Sequence, residues 1–194
     1  MAHILPHWTW PDRVGQLTPV HVFSAADEAE LFLNGKSQGR KKKGPSEYRF
    51  RWDGIKYQPG ELHVITYKNG TEWAEGTVTT AGQAVALTLM PDRTTIEADG
   101  KDLSFITVKV VDAKGNGVPQ ANNLVTFSVS GPGEIVATDN GDPTDFTAFP
   151  SKDRKAFSGL ALAIVRATAQ ESGAITITAT GNGLQAAQVT LQTI

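Results

Sequence analysis

Tyr48-Arg49-Phe50-Arg51-Trp52 alternates aromatic rings with guanidinium groups at every step. A β-strand points successive side chains to opposite faces, so this pentapeptide puts three rings on one side and two cations on the other. A helix would scatter the same groups around its circumference. The stretch reads as a strand with one buried face and one wet face, and it places Trp52 in a core with Tyr48 and Phe50.

The neighbouring segments share that grammar. Val20-His21-Val22-Phe23 and Ala29-Glu30-Leu31-Phe32-Leu33 are short and densely apolar. Leu62 to Tyr67 and Thr77 to Thr79 follow. Asn34-Gly35 and Asn69-Gly70 supply residues that tolerate positive φ, as tight hairpin turns require. Farther along, the strands expected are Val85–Leu89, Ser104–Val111, Leu124–Val129, Gly133–Thr138, Ala174–Ala179 and Val189–Leu191. The cluster Asp112-Ala113-Lys114-Gly115-Asn116-Gly117 ends the longest of them in a turn. Leu160–Ala169 is rich in Ala, but Ile164, Val165 and Thr168 are β-branched and favour a strand. No segment needs to be a helix. Regularly spaced strands separated by Gly, Pro, Asn and Asp turns give an all-β chain of two tandem immunoglobulin-like β-sandwiches.

The division into two follows from the aromatic residues. All four Trp and all three Tyr lie before Ala81-Gly82-Gln83, and only Phe follows. The expected domains are residues 1-82, with 1-18 an extended leader, and residues 83-194. The first holds 10 basic and 9 acidic residues, the second 8 and 11.

Whole-chain composition removes several classes of function. The 194 residues include no Cys, which excludes disulfide scaffolds, thiolate zinc sites and thiol nucleophiles. A net charge of -2 gives no electrostatic reason to expect nucleic acid or an anionic membrane as partner. No apolar run approaches the roughly 18 residues that span a bilayer. Met1 to Pro11 lacks the basic and apolar regions of a signal peptide. No cofactor motif, glycine-rich phosphate loop or nucleophile elbow is present.

Several groups have side chains suited to chemistry, each with a plainer structural reading. His3 and His7 stand four apart, but Pro6 breaks the helix that would align them on a metal. Asp139-Asn140-Gly141-Asp142-Pro143-Thr144-Asp145 is the densest acidic stretch. It lacks the ligand order of a calcium loop and reads as a turn whose Asp side chains bind local backbone N–H groups. Asp27, Glu28 and Glu30 share one strand start, a solvated face rather than an opposed catalytic pair. Arg40-Lys41-Lys42-Lys43, flanked by Gly39 and Gly44, reads as a solvated hairpin or loop. Asn69-Gly70-Thr71 matches a glycosylation sequon and reads more simply as a hairpin tip. Trp8, Trp10 and Trp73 are the candidates for sugar stacking or a domain interface. Trp8 and Trp10 precede the first convincing strand, so they bury either against this domain or against a neighbouring one.

Several motifs resemble a known family. His3-Ile4-Leu5-Pro6-His7-Trp8-Thr9-Trp10 is similar to the segment following the catalytic barrel in glycoside hydrolase family 2 β-galactosidases of Bacteroides-type bacteria. Pro19–Ser24, Ala26–Ser37 and Pro59-Gly60-Glu61-Leu62 resemble the family's next domain. Ala98–Leu103, Gly131-Pro132-Gly133, Asp139–Asp142 and Arg154–Leu160 resemble its final bacterial Ig-like domain. The resemblance implies two non-catalytic accessory domains, whose roles would be support, oligomerisation or presentation of polysaccharide. It implies the barrel and other domains of a parent enzyme as partners, and a periplasmic or secreted parent. The barrel itself takes about 250 residues, so no catalytic residue of the family maps onto this chain. The alternatives at this point are an autonomous carbohydrate-binding module and a cell-surface adhesin or spacer, because fold alone does not fix function.

Overall fold

A computed structural model describes all residues from Met1 to Ile194. The chain is all-β apart from one 3-10 turn at Pro11–Arg13, and it divides into two compact units, Met1–Ala81 and Gly82–Ile194.

The first unit contains β1 (Ala2–Leu5), β2 (Val20–Ser24), β3 (Glu28–Leu33), β4 (Lys36–Lys42), β5 (Phe50–Trp52), β6 (Glu61–Lys68) and β7 (Thr71–Thr79). They form two antiparallel sheets, β1-β2-β5 and β4-β3-β6-β7. Every second residue of β2 and β3 is buried: Val20 and Val22, then Ala29, Leu31 and Leu33. Phe50, Trp52, Tyr57, Leu62 and Val64 complete the core between the sheets. Each such aliphatic or aromatic side chain contributes about 1.5–3 kcal/mol by leaving water. Asn34-Gly35 turns β3 into β4 and Asn69-Gly70 turns β6 into β7, all four residues with φ between 50° and 79°. Those left-handed turns match the twist of the strands they join.

Two local expectations change and one is narrowed. The leader is not merely extended: β1 lies inside residues 1–18 and pairs with β2 from Ala2↔Ser24 to Leu5↔His21. Gly76 of β7 permits this close packing, because a Cβ there would collide with the Ala2 carbonyl oxygen. Of the two expectations for the basic run, the structure shows the hairpin: Arg40–Lys42 end β4, the exposed second strand of the β3–β4 hairpin, paired with β3 at Glu28↔Lys42 and Glu30↔Arg40. Its single outer edge carries charges, which discourage pairing with a second chain. Tyr48 falls outside β5 and is 66% exposed, whereas Phe50 and Trp52 are core.

The second unit contains β8 (Ala86–Pro91), β9 (Thr95–Ile96), β10 (Leu103–Val111), β11 (Leu124–Ser130), β12 (Gly133–Asp139), β13 (Asp153–Lys155), β14 (Leu160–Ala167), β15 (Gly173–Gly181) and β16 (Leu184–Thr193). The order is β12-β14-β10-β8-β16-β15-β11-β13, with β9 parallel to β16. The strand β8 is the corner. It runs antiparallel to β10 and touches β16 through one parallel pairing, Ala86↔Gln185. The Ala-rich segment is a strand, as its β-branched residues require: Ala161, Ala163, Val165 and Ala167 are buried at a period of two. Ile106 and Val108 lie beside Ala163 and Ala161 in the same sheet, and Phe127, Ile175, Ile177 and Leu191 are likewise buried in this unit.

Candidate functional site

The three tryptophans occupy different environments. Trp8 is 1% exposed and belongs to the core of its own unit. Its Nε1–H donates to the Gln58 carbonyl at 2.9 Å, and its ring meets Tyr57 edge-on at 4.9 Å. A stacking or interface role for Trp8 therefore gives way to an internal one. Trp10 is half-buried and stacks on His7 at 4.1 Å. Its Nε1–H donates to the His7 carbonyl at 2.8 Å. Burial holds the His7 imidazole below its ordinary pKa. The segment is tied down further by Thr80, whose hydroxyl donates to the Trp8 carbonyl, and by Ala81 N–H, which donates to Thr9 Oγ1. Trp73 on β7 is half exposed, with Lys68 Nζ 4.8 Å from its ring centroid.

The outer face of β4-β3-β6-β7 is a mesh of paired groups. Arg40 donates to Glu28 at 2.7 Å and lies 3.6 Å from the centroid of the Tyr67 ring. Ser37 donates to Glu30, and His63 meets Glu75 at 3.2 Å while stacking on Phe32. The carboxylates of β3 are thus answered by β4. No set of three or more His, Asp or Glu groups converges as a metal centre would require.

In the second unit the acidic stretch lies in the loop between β12 and β13. Asp139 accepts from the Asn140 and Gly141 amides, Asp142 from Thr144, and Asp145 from Thr147. These are the local turns expected of the sequence. The organising group is Arg154, which opens a family-like motif but whose burial no local pattern marks. Arg154 is 1% exposed, and its guanidinium donates to the carbonyls of Thr138, Thr147 and Ala148 and to Asp145 Oδ2 at 3.1 Å. Alternation along β13 would have hinted that Arg154 faces inward, but a three-residue strand is too short to declare its period. The loop thus fixed holds Phe146 94% exposed and Phe149 63% exposed.

Two carboxyls are held well below the ordinary value of 3.8. Asp112 is lowered to about 2, chiefly by the Gly82 amide, with Asn116 and Lys114 amides adding to it. Asp145 is lowered to about 2 by the Thr147 hydroxyl and amide, and then by Arg154. A general acid in glycoside hydrolysis needs the opposite displacement.

These features define a class first: tandem immunoglobulin-like sandwiches whose carboxylates serve ion pairs and turns. Comparison with known proteins gives the family. Residues 87–190 match the family described as glycoside hydrolase family 2 C-terminal domain 5, and residues 15–74 match a domain of unknown function, DUF4982. The chain belongs to the glycoside hydrolase family 2 C-terminal domain family. It is 42% identical to the β-galactosidase BoGH2A of Bacteroides ovatus over 96% of this chain and 22% of that protein. It is 30% identical to a β-glucuronidase of Formosa agariphila over 100% of this chain and 19% of that protein. The chain thus spans about a fifth of the length of the curated relatives it matches. Among solved structures it superposes on a β-glycosidase from Bacteroides vulgatus with a TM-score of 0.93 and 28% identity, covering 98% of this chain and 24% of that one. A family 2 glycosyl hydrolase from Bacteroides cellulosilyticus gives 0.89 at 34% identity, covering 98% and 24%.

Proposed function

We propose that this chain is a non-catalytic accessory region of a larger family 2 glycosidase that hydrolyses O-glycosyl bonds, with a β-galactosidase as the leading parent. The observation that carries the reading is the family match across residues 87–190 in a chain equal to 22% of BoGH2A. Residues 1-82 serve as the accessory sandwich that follows the catalytic barrel, and residues 83-194 as the Ig-like domain beyond it. Their job is to support the barrel, to assist oligomerisation or to present substrate.

The side-chain chemistry supports this assignment. Asp112 and Asp145 are tuned toward permanent ionisation, and Glu28 is paired with Arg40. The loop pinned by Arg154 keeps two Phe rings in water, an unfavourable placement for an isolated domain and a useful one for a surface that meets another domain. The test is hydrolysis of chromogenic β-galactoside and β-glucuronide by the purified chain. No turnover is expected, and turnover that survives repurification overturns the proposal.

A second reading, direct carbohydrate binding through Trp73, rests on its half-exposed ring. Affinity electrophoresis on galactan and xylan tests it. Retardation abolished by Trp73→Ala supports it, and unretarded migration removes it.

A further inference from the structure

The outer face of β1-β2-β5 differs from the paired mesh on the other sheet of the same unit. Its residues line up in two rows across the strands. Leu5, His21 and Arg51 are register partners in one row. His3 and Phe23 are partners in the next, where Arg49, two residues before Arg51, extends the row. Tyr48 stands at the end of this row, its ring 6.2 Å from Phe23 and 5.2 Å from the Arg49 guanidinium carbon.

The charges here are unevenly matched. Arg51 pairs with Asp53 at 3.1 Å, and Lys41 Nζ donates to the Arg51 carbonyl. Arg49 is half-buried, yet the protein's six ion pairs include neither it nor Lys42. A cleft of about 320 Å³ opens beside them, lined by Lys41, Lys42, Arg49 and Arg51 together with Glu47 and Asp53. Four cations face two carboxylates.

A guanidinium offers a fixed fork of donors that matches a carboxylate with two parallel hydrogen bonds. Glu47 and Asp53 are acceptors only, suited to hydroxyl donors and repelled by a ligand that is anionic throughout. The exposed Tyr48 ring adds a flat apolar face, on which a pyranose can stack. Carboxylate, hydroxyls and a flat apolar ring face occur together in a uronic-acid saccharide.

We propose that this cleft and the adjoining sheet face bind an acidic oligosaccharide, Arg49 pairing with a sugar carboxylate, Glu47 and Asp53 accepting sugar hydroxyls and Tyr48 stacking on the ring. This deepens the glycosidase reading by naming a saccharide class. It is read out as binding, so its failure is distinct from the appearance of hydrolytic activity.

The test is calorimetric titration of the whole chain with trigalacturonate, with galactotriose as neutral control and triglutamate as acidic peptide control. Trigalacturonate is expected to bind at least tenfold more tightly than either. Arg49→Met is expected to weaken it by about tenfold to a hundredfold, the scale of a lost charge-assisted pair, while Lys101→Met in the other unit leaves it unchanged. Binding should also raise the NMR titration midpoint of His21. Burial first, and then the fields of Arg49 and Arg51, hold that imidazole low, with Asp53 opposing, and a bound carboxylate offsets the two arginines. Equal affinity for galactotriose, equal or tighter binding of triglutamate, or full affinity in a folded Arg49→Met protein overturns the proposal.

Discussion

Arg154 shows how much one residue can organise. A buried guanidinium is tolerated only when its donors are answered, and here they meet three carbonyls, a hydroxyl and a carboxylate. Truncation to Met removes the donors and leaves the Thr138, Thr147 and Ala148 carbonyls without them. Arg154→Met is expected to cost about 3–5 kcal/mol in the second unit, as breaking a buried pair does. Urea unfolding of that unit measures it, and a loss below about 1 kcal/mol would contradict the assigned role. Asp112 acts at the same scale. Its pKa is depressed when folded, so its contribution is fully present above the unfolded value of 3.8 and is lost as pH falls toward about 2. Asp112→Asn is therefore expected to lower stability at neutral pH and to flatten the acid limb between those values, as thermal melts at a series of pH values would show.

Elements matter where backbone meets backbone. The strand β1 lies against β7 at Gly76, whose missing Cβ is what clears the Ala2 carbonyl. Gly76→Ala is expected to loosen β1 and to destabilise the first unit by about 1–3 kcal/mol, the usual cost of forcing atoms into a packed contact. Hydrogen exchange at Ile4 and Leu5 should rise with it, and unchanged protection there would contradict the packing argument. The charged strand β4 makes a different point. Its residues are almost all exposed, and its charges keep the sheet edge from templating another strand. Replacing Arg40, Lys41 and Lys42 together by Val should produce concentration-dependent aggregation by light scattering, while the parent chain stays monodisperse.

At the scale of the molecule, each unit has its own core, one aromatic and one aliphatic. All four Trp lie in the first unit. Tryptophan fluorescence is therefore expected to report unfolding of the first unit alone. Its midpoint should move in Gly76→Ala and stay put in Arg154→Met, whereas far-ultraviolet circular dichroism should register both. A fluorescence midpoint that follows Arg154→Met would show that the units unfold as one.

Much of this was legible along the chain. Period-two burial in β2, β3, β14 and β15, together with the two Asn-Gly hairpins, follows from local residue chemistry, because strand faces and turn angles are set within a few residues. The family likeness was legible for the same reason, as ordered short motifs. Other features needed the third dimension. Trp8 is core because Tyr57 and Gln58, about fifty residues away, close over it. The basic run became a strand because Glu28 and Glu30 stood opposite it. Arg154 is buried because the end of β12 and the loop just before its own strand fold back over it and turn the Thr138, Thr147 and Ala148 carbonyls inward. Burial and charge pairing depend on which strands become neighbours, and that choice is made by the whole chain at once rather than by any segment of it.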